Sequence, residues 1–290
     1  MVDTFRCTAA ASLSGEPMVG TAPTDTTFLL VEYAGAWGRK ALAESRLPEA
    51  VRERLGNLDS VRVLLIRRHG GVSGPGVRIF TVQVTPAGCT IETGLLREVT
   101  DLLELDLASL ASGTHLGLTP YVHDIHLVCT NGRRDICCAE LGRPVTAALA
   151  ARWPEETWEV THLGGHRFAS TLLSFPSGLC LGRLDAESAV LAIEEVEAGR
   201  HPIGFSRGRV GASEPAQVAQ VHVVEQTGLD RHDEVVVLEE VNGVVRLLAD
   251  DTEWQVAVRT SKSEPRRQSC GETFEKPGAV HEVVLAGPVA

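Results

Sequence analysis

The chain has 290 residues, 43% hydrophobic and 22% charged, which excludes a disordered chain and gives length for about two domains with a small third unit. Its 38 acidic against 27 basic residues leave a formal charge of −11, the wrong sign for a protein that tracks a nucleic-acid backbone. No segment reaches the ~18 consecutive apolar residues of a membrane-spanning helix, so no membrane insertion is expected.

In chain order, roughly the first 25 residues read as an irregular lead-in; they carry no sustained apolar stretch of the signal-peptide kind. Thr27–Tyr33 reads as a strand, and Arg39–Leu55 as a helix that Pro48 kinks or splits. Ser60–Ile66 and Val77–Thr85 read as strands. Cys89–Thr93 is the hairpin partner of the second across Pro86-Ala87-Gly88, and Arg97–Leu110 is a helix. The same order then returns. Asp124–Cys129 is a strand, Cys137–Trp153 a helix weakened at Gly142-Arg143-Pro144, and Thr157–His162 a strand. Ala169–Phe175 and Leu179–Arg183 form a hairpin, and Asp185 caps a helix to Ala198. Beyond Gly199, Pro215–Gly228 reads as a helix. Glu234–Glu239, Val241–Leu248, Glu253–Arg259 and Glu282–Leu285 read as strands, with Asn242-Gly243 as a turn and 261–278 as an exposed loop.

Strand, helix, strand, hairpin, helix thus occurs twice, and that order is the thioredoxin-like arrangement. The expected fold class is α/β: two thioredoxin-like halves, residues 1–120 and 121–200, followed by a small α+β appendage, 201–290.

Seven unevenly spread cysteines do not read as a secreted disulfide framework. A cytoplasmic location is expected, where clustered Cys suggest metal or redox chemistry. Two segments carry such residues: Cys129 to Cys137-Cys138, and His162-Leu-Gly-Gly-His166. In the expected fold both fall at one end of the sheet, where four soft or borderline donors on facing loops make a metal site reasonable. Their spacing is wrong for a zinc finger, whose Cys stand two to four apart. Gly164-Gly165 lets the backbone curl closely around something compact.

The pattern C-x8-C followed by H-x-G-G-H resembles the sucrase/ferredoxin-like family, the bis-histidinyl branch of thioredoxin-like ferredoxins. Cys129 and Cys138 match its first part, and His162 and His166, in HLGGHRFA, its second. RCTAAASLSGEPMVGTA and PRRQSCGE near the ends resemble the family more weakly. Cys138 rather than Cys137 is chosen because only it leaves eight intervening residues. The resemblance implies a [2Fe–2S] cluster with the two Cys on one iron and the two His on the other, as in a Rieske centre. It implies an easier reduction than in all-thiolate ferredoxins, and electron transfer coupled to a proton through the imidazoles. A redox protein is the implied partner, and a carrier rather than a complete enzyme the implied role; sucrose hydrolysis is not expected.

Tyr33–Ala41, the counterpart of the Cys segment, has no Cys, although His69-Gly70-Gly71 echoes the second loop; the first half is therefore expected to be degenerate. Arg133, Arg134 and Arg167 are open to hydrogen bonding near a cluster, partner docking or simple solvation. Cys89 and Cys180 read as buried thiols; Cys7 and Cys270 are open to redox activity or to pairing with each other. Two competing classes remain: a thiol oxidoreductase using a low-pKa Cys138 at a helix start, although Cys-x-x-Cys is absent, and a structural zinc protein.

Overall fold

The capped and apolar segments fold into helices and strands over residues 5–71, 74–86 and 88–289, which the computed structural model describes. The first four residues, and Ala87 of the expected turn, lie outside the described residues. The lead-in is not wholly irregular. Helix α1 (Cys7–Leu13) forms there because its alanines favour helix, and it buries Cys7 and Ala11, one turn apart. Strand β1 (Thr27–Glu32) follows as expected. The helix expected over Arg39–Leu55 is reduced to α2 (Glu49–Gly56), with Pro48 as its N-cap; a proline there costs no intrahelical hydrogen bond. Residues 39–47 are turns, held by Glu44 accepting from the Arg39 and Lys40 amides.

Strands β2 (Arg62–Arg67), β3 (Val77–Thr85) and β4 (Gly88–Leu96) come next, β4 running past the expected Thr93. The helix expected over Arg97–Leu110 is instead two short 3-10 turns, Val99–Glu104 and Leu107–Ser112. One α-helix would set Leu102 and Leu107 about 140° apart; the break between them lets both, with Leu110, bury in one core. Strand β5 (Thr119–Pro120) pairs with β4.

The second set is β6 (Ile125–Cys129), α3 (Ile136–Arg152), β7 (Thr157–Val160), β8 (Leu172–Phe175), β9 (Leu179–Leu181) and α4 (Ala186–Glu197). Helix α3 runs unbroken through Pro144. Asp185 caps α4 in a reciprocal box with Ser188.

One ten-stranded sheet results, in the order β10-β9-β8-β6-β7-β2-β1-β3-β4-β5, with β10 (Ser206–Arg209) on one edge. Blocks β2-β1-β3-β4 and β7-β6-β8-β9 repeat one order: a parallel pair, then two antiparallel strands. They meet where β2 runs antiparallel to β7, with Ile66 opposite Val160 and Arg67 opposite Glu159. Thr161 extends this seam, its hydroxyl accepting from the Leu65 amide and its own amide donating to the Leu65 carbonyl. A core including Phe28, Ile66, Leu127, Trp158 and Phe175 crosses it.

Helix α5 (Glu214–Thr227), capped by Ser213 and ended at Gly228 (φ 73°), packs on a four-stranded antiparallel sheet of β11 (Val235–Val241), β12 (Val244–Ala249), β13 (Thr252–Lys262) and β14 (Ala279–Pro288). Asn242 and Gly243, at φ 52° and 78°, make the expected two-residue turn. The architecture is therefore mixed α/β with a large and a small sheet. The loop between β13 and β14, expected to be exposed, folds back and buries Ser269. Among the described residues no helix is long and apolar enough to cross a membrane.

Candidate metal centre

Cys129 is the last residue of β6, and the chain then turns to Asp135, whose carboxylate caps α3 by accepting from the Cys137 amide at 3.0 Å. Successive residues on a helix point about 100° apart, so Cys137 and Cys138 face different surroundings. Cys138 turns to Cys129, and Cys137 turns to α1. Gly142 lets α3 lie against β6, since a Cβ there would stand 2.2 Å from the Cys129 carbonyl oxygen.

Beyond β7, Gly164 and Gly165 adopt φ of 90° and 65°. L-side chains rarely enter that left-handed region, and the bend returns His166 to His162. Their rings approach with His166 Nδ1 3.3 Å from His162 Nε2. The loop is fixed from outside by two arginines. Arg62 donates to the His162 carbonyl at 3.2 Å, and Arg207, fully buried, to the Gly164 carbonyl at 3.2 Å and Cys180 Sγ at 3.4 Å. Arg207 was not singled out from the sequence. It is 43 residues beyond Gly164, in a glycine-rich stretch with no motif of its own.

The two loops bring ligand atoms of Cys129, Cys138 and His162 within 4.8 Å of one another. His166 stands outside that group, against His162 and 3.8 Å from an Asp135 oxygen. His162 Nδ1 and His166 Nε2 are buried without a hydrogen-bond partner, which costs free energy unless something accepts or donates there. A hydrogen bond from Cys138, then one involving His162, holds the Cys129 thiol well below its ordinary range against its burial. The same contact, with burial, pushes Cys138 well above that range; one proton serves the two sulfurs. Burial, helped by His162, pushes His166 down to about 4, so its ring is neutral at physiological pH. Neutral imidazole and thiolate are the forms that ligate metals.

The remaining sequence candidates fall elsewhere. Arg133 is exposed, while Arg167 pairs with Glu16 at 2.7 Å and lies over Phe168. His69 faces Glu159 at 3.1 Å, with no thiol in its counterpart loop. Cys180 is buried and Cys89 half-buried. Cys7 and Cys270 do meet, at 3.5 Å between sulfurs, but in company with Cys137 and Asp135, a second group of potential metal ligands.

A family model for sucrase/ferredoxin-like proteins matches residues 18–208, about two thirds of the chain and all four candidate ligands. The chain belongs to the sucrase/ferredoxin-like family. No curated relative and no solved structure matches it. In this sucrase/ferredoxin-like chain the matched segment leaves out α1, the small sheet and the loop carrying Cys270. Beside the Gly164–Gly165 bend a polar cleft of about 350 Å³ opens, lined in part by Arg167, Arg207, Gln268 and His281.

Proposed function

We propose that this family member is an electron-transfer protein holding one [2Fe–2S] cluster on Cys129, Cys138, His162 and His166. The observation that carries the reading is the convergence of two buried thiols and two imidazoles from facing loops, two of whose ring nitrogens lack partners. This donor set suits iron–sulfur chemistry. Bound there, the cluster would supply one-electron redox at a potential nearer the Rieske range, about −150 to +300 mV, than the −400 mV of all-thiolate plant-type ferredoxins. The chain's own part is to offer Cys129 readily as thiolate, to keep His166 neutral, and to fix the His loop by Arg62 and Arg207. Ring nitrogens that reach water on reduction would take up a proton, giving proton-coupled transfer.

In this reading the two four-strand blocks are thioredoxin-like halves. Residues 1–120 form a degenerate unit without a cluster, 121–200 the cluster-bearing unit and 201–290 an appendage; the repeated strand order supports it. The protein serves as a carrier in the cytoplasm, exchanging electrons with a redox protein.

The test is an absorption spectrum of protein purified without oxygen, with iron and sulfide assayed on the same sample. About two irons and two sulfides per chain with visible bands support the proposal. His162→Cys and His166→Cys should then lower the potential by on the order of 100 mV or more. A potential that stays flat between about pH 6 and 10 removes the proton-coupled part. A second reading, a mononuclear structural zinc on the same residues, is favoured by the 4.8 Å grouping of Cys129, Cys138 and His162; it predicts a colourless protein with zinc that is lost in Cys129→Ser. Thiol exchange at Cys138 has less support, because that sulfur is buried and holds its proton.

A further inference from the structure

Three thiols outside the proposed iron–sulfur ligands form a triangle. Cys7 and Cys137 sulfurs are 3.8 Å apart, Cys137 and Cys270 3.3 Å, and Cys270 and Cys7 3.5 Å. One Asp135 oxygen lies 3.5 Å from Cys7 Sγ, and all four groups offer ligand atoms within 4.8 Å of one another. The sulfurs come from segments 130, 133 and 263 residues apart: α1, the first turn of α3, and the loop between β13 and β14. Cys7 and Cys137 are buried, and Asp135 is 3% exposed.

We propose that Cys7, Cys137, Cys270 and Asp135 form a closed structural Zn²⁺ site, distinct from the iron–sulfur centre. A tetrahedral zinc with Zn–S near 2.3 Å and Zn–O near 2.0 Å sets S···S at about 3.8 Å and S···O at about 3.5 Å. The observed separations lie within half an ångström of those values. They are far beyond the ~2.05 Å of a disulfide.

The surroundings suit thiolate ligands. The Cys7 amide donates to Cys270 Sγ at 3.3 Å. Asp135 is aimed by Ser269 Oγ at 2.9 Å and by the Cys270 and Cys137 amides at 2.8 and 3.0 Å, a set of outer contacts of the kind that orients metal ligands. Binding would displace the thiol protons to solvent and put the cation in their place. Three sulfurs and one oxygen fill the coordination of zinc, so the site is structural and leaves no position for a substrate. Its work is to fasten both flanks of the chain to the start of α3, beside His166. Cys7 and Cys270 both lie outside the segment that the family model matches.

The test counts metals on full-length protein purified without oxygen. About one zinc per chain is expected. It should persist in Cys129→Ser, and be lost at unchanged iron content and visible spectrum in Cys7→Ser and Cys270→Ser. After zinc removal from the wild type, Co²⁺ should restore a thiolate-to-cobalt charge-transfer band with the intense d–d bands of a tetrahedral site. Zinc that disappears with Cys129 but survives in the Cys7 and Cys270 variants would overturn the assignment, and would count against the iron–sulfur reading as well. A wild type that takes up neither zinc nor cobalt, or that carries a disulfide within this trio by peptide mapping, overturns it alone. If the variants do not fold, thiol labelling of the wild type decides: Cys7, Cys137 and Cys270 should become alkylated only with a chelator. Labelling at one rate with and without chelator refutes the site.

Discussion

Gly142 and Gly165 set the distances at the candidate centre by having no Cβ. A methyl on Gly142 would meet the Cys129 carbonyl oxygen at 2.2 Å, so α3 must move away from β6 or β6 must bend. Gly142→Ala should therefore destabilise by about 1–3 kcal/mol, as overpacking does, and reduce iron retention; urea unfolding and iron assay check both. Gly165→Ala combines a left-handed φ of 65° with a contact 2.4 Å from the Arg207 guanidinium. Its expected cost is again about 1–3 kcal/mol, with the His loop displaced; if stability and spectrum both match the wild type, Arg207 does not fix that loop. The approach of Cys129, Cys138 and His162 to one another was legible in the sequence because Cys129 ends a strand, Cys138 opens the helix that follows and His162 comes just after the next strand. Arg207 and Arg62 were not, since their contacts to the loop cross 43 and 100 residues. The setting of Cys137 was not legible either; its partners are 130 and 133 residues away, beyond any local spacing.

At the scale of elements, strands were the most legible, since continuous apolar runs such as Leu29–Val31 are buried on both sides. The helix expected at 39–55 kept only the part after Pro48, and that at 97–110 became two 3-10 turns, for local reasons: a proline that starts rather than kinks, and a leucine spacing that one helix cannot serve. The seam between β2 and β7 was invisible, because it pairs antiparallel strands from different repeats. There Glu159 accepts from Arg67 at 2.7 Å, from Thr130 at 2.9 Å and faces His69. Burial opposes its charge, but the hydrogen bonds and attraction of Arg67, with those of Thr130 and His69, hold the carboxyl below its usual range. A depressed folded value means stability that is present above the unfolded carboxylate value of about 4.3 and lost as pH falls through the folded one. Glu159→Gln should cost about 1.5–3 kcal/mol at pH 7, and the difference from wild type should shrink below about pH 4. Urea unfolding across that range is the measurement; a pH-independent difference would mean the loss is one of shape.

For the whole molecule, helix α5 is tied to the segment leading into β1 by a polar contact. Gln217 of α5, fully buried, pairs with Ala22 as a strand neighbour would, accepting from its amide at 3.0 Å and donating to its carbonyl at 3.1 Å. Gln217→Leu takes a donor from the Ala22 and Ala212 carbonyls, while the Ala22 amide keeps the Arg207 carbonyl at 3.2 Å; it should cost about 1–3 kcal/mol per orphaned carbonyl, visible as a lower thermal midpoint. If the midpoint holds, the small sheet is not joined to the large one through this contact. The meeting of Cys7 with Cys270 has a consequence in time. All four residues of the candidate iron–sulfur site have left the synthetic machinery about a hundred residues before Cys270 does. At about 5–20 residues per second, that is roughly 5–20 seconds in which the half-made protein lacks the loop that packs against Asp135 beside His166. The contacts of Ser269 and Cys270 with Asp135 are therefore the last of that neighbourhood to form.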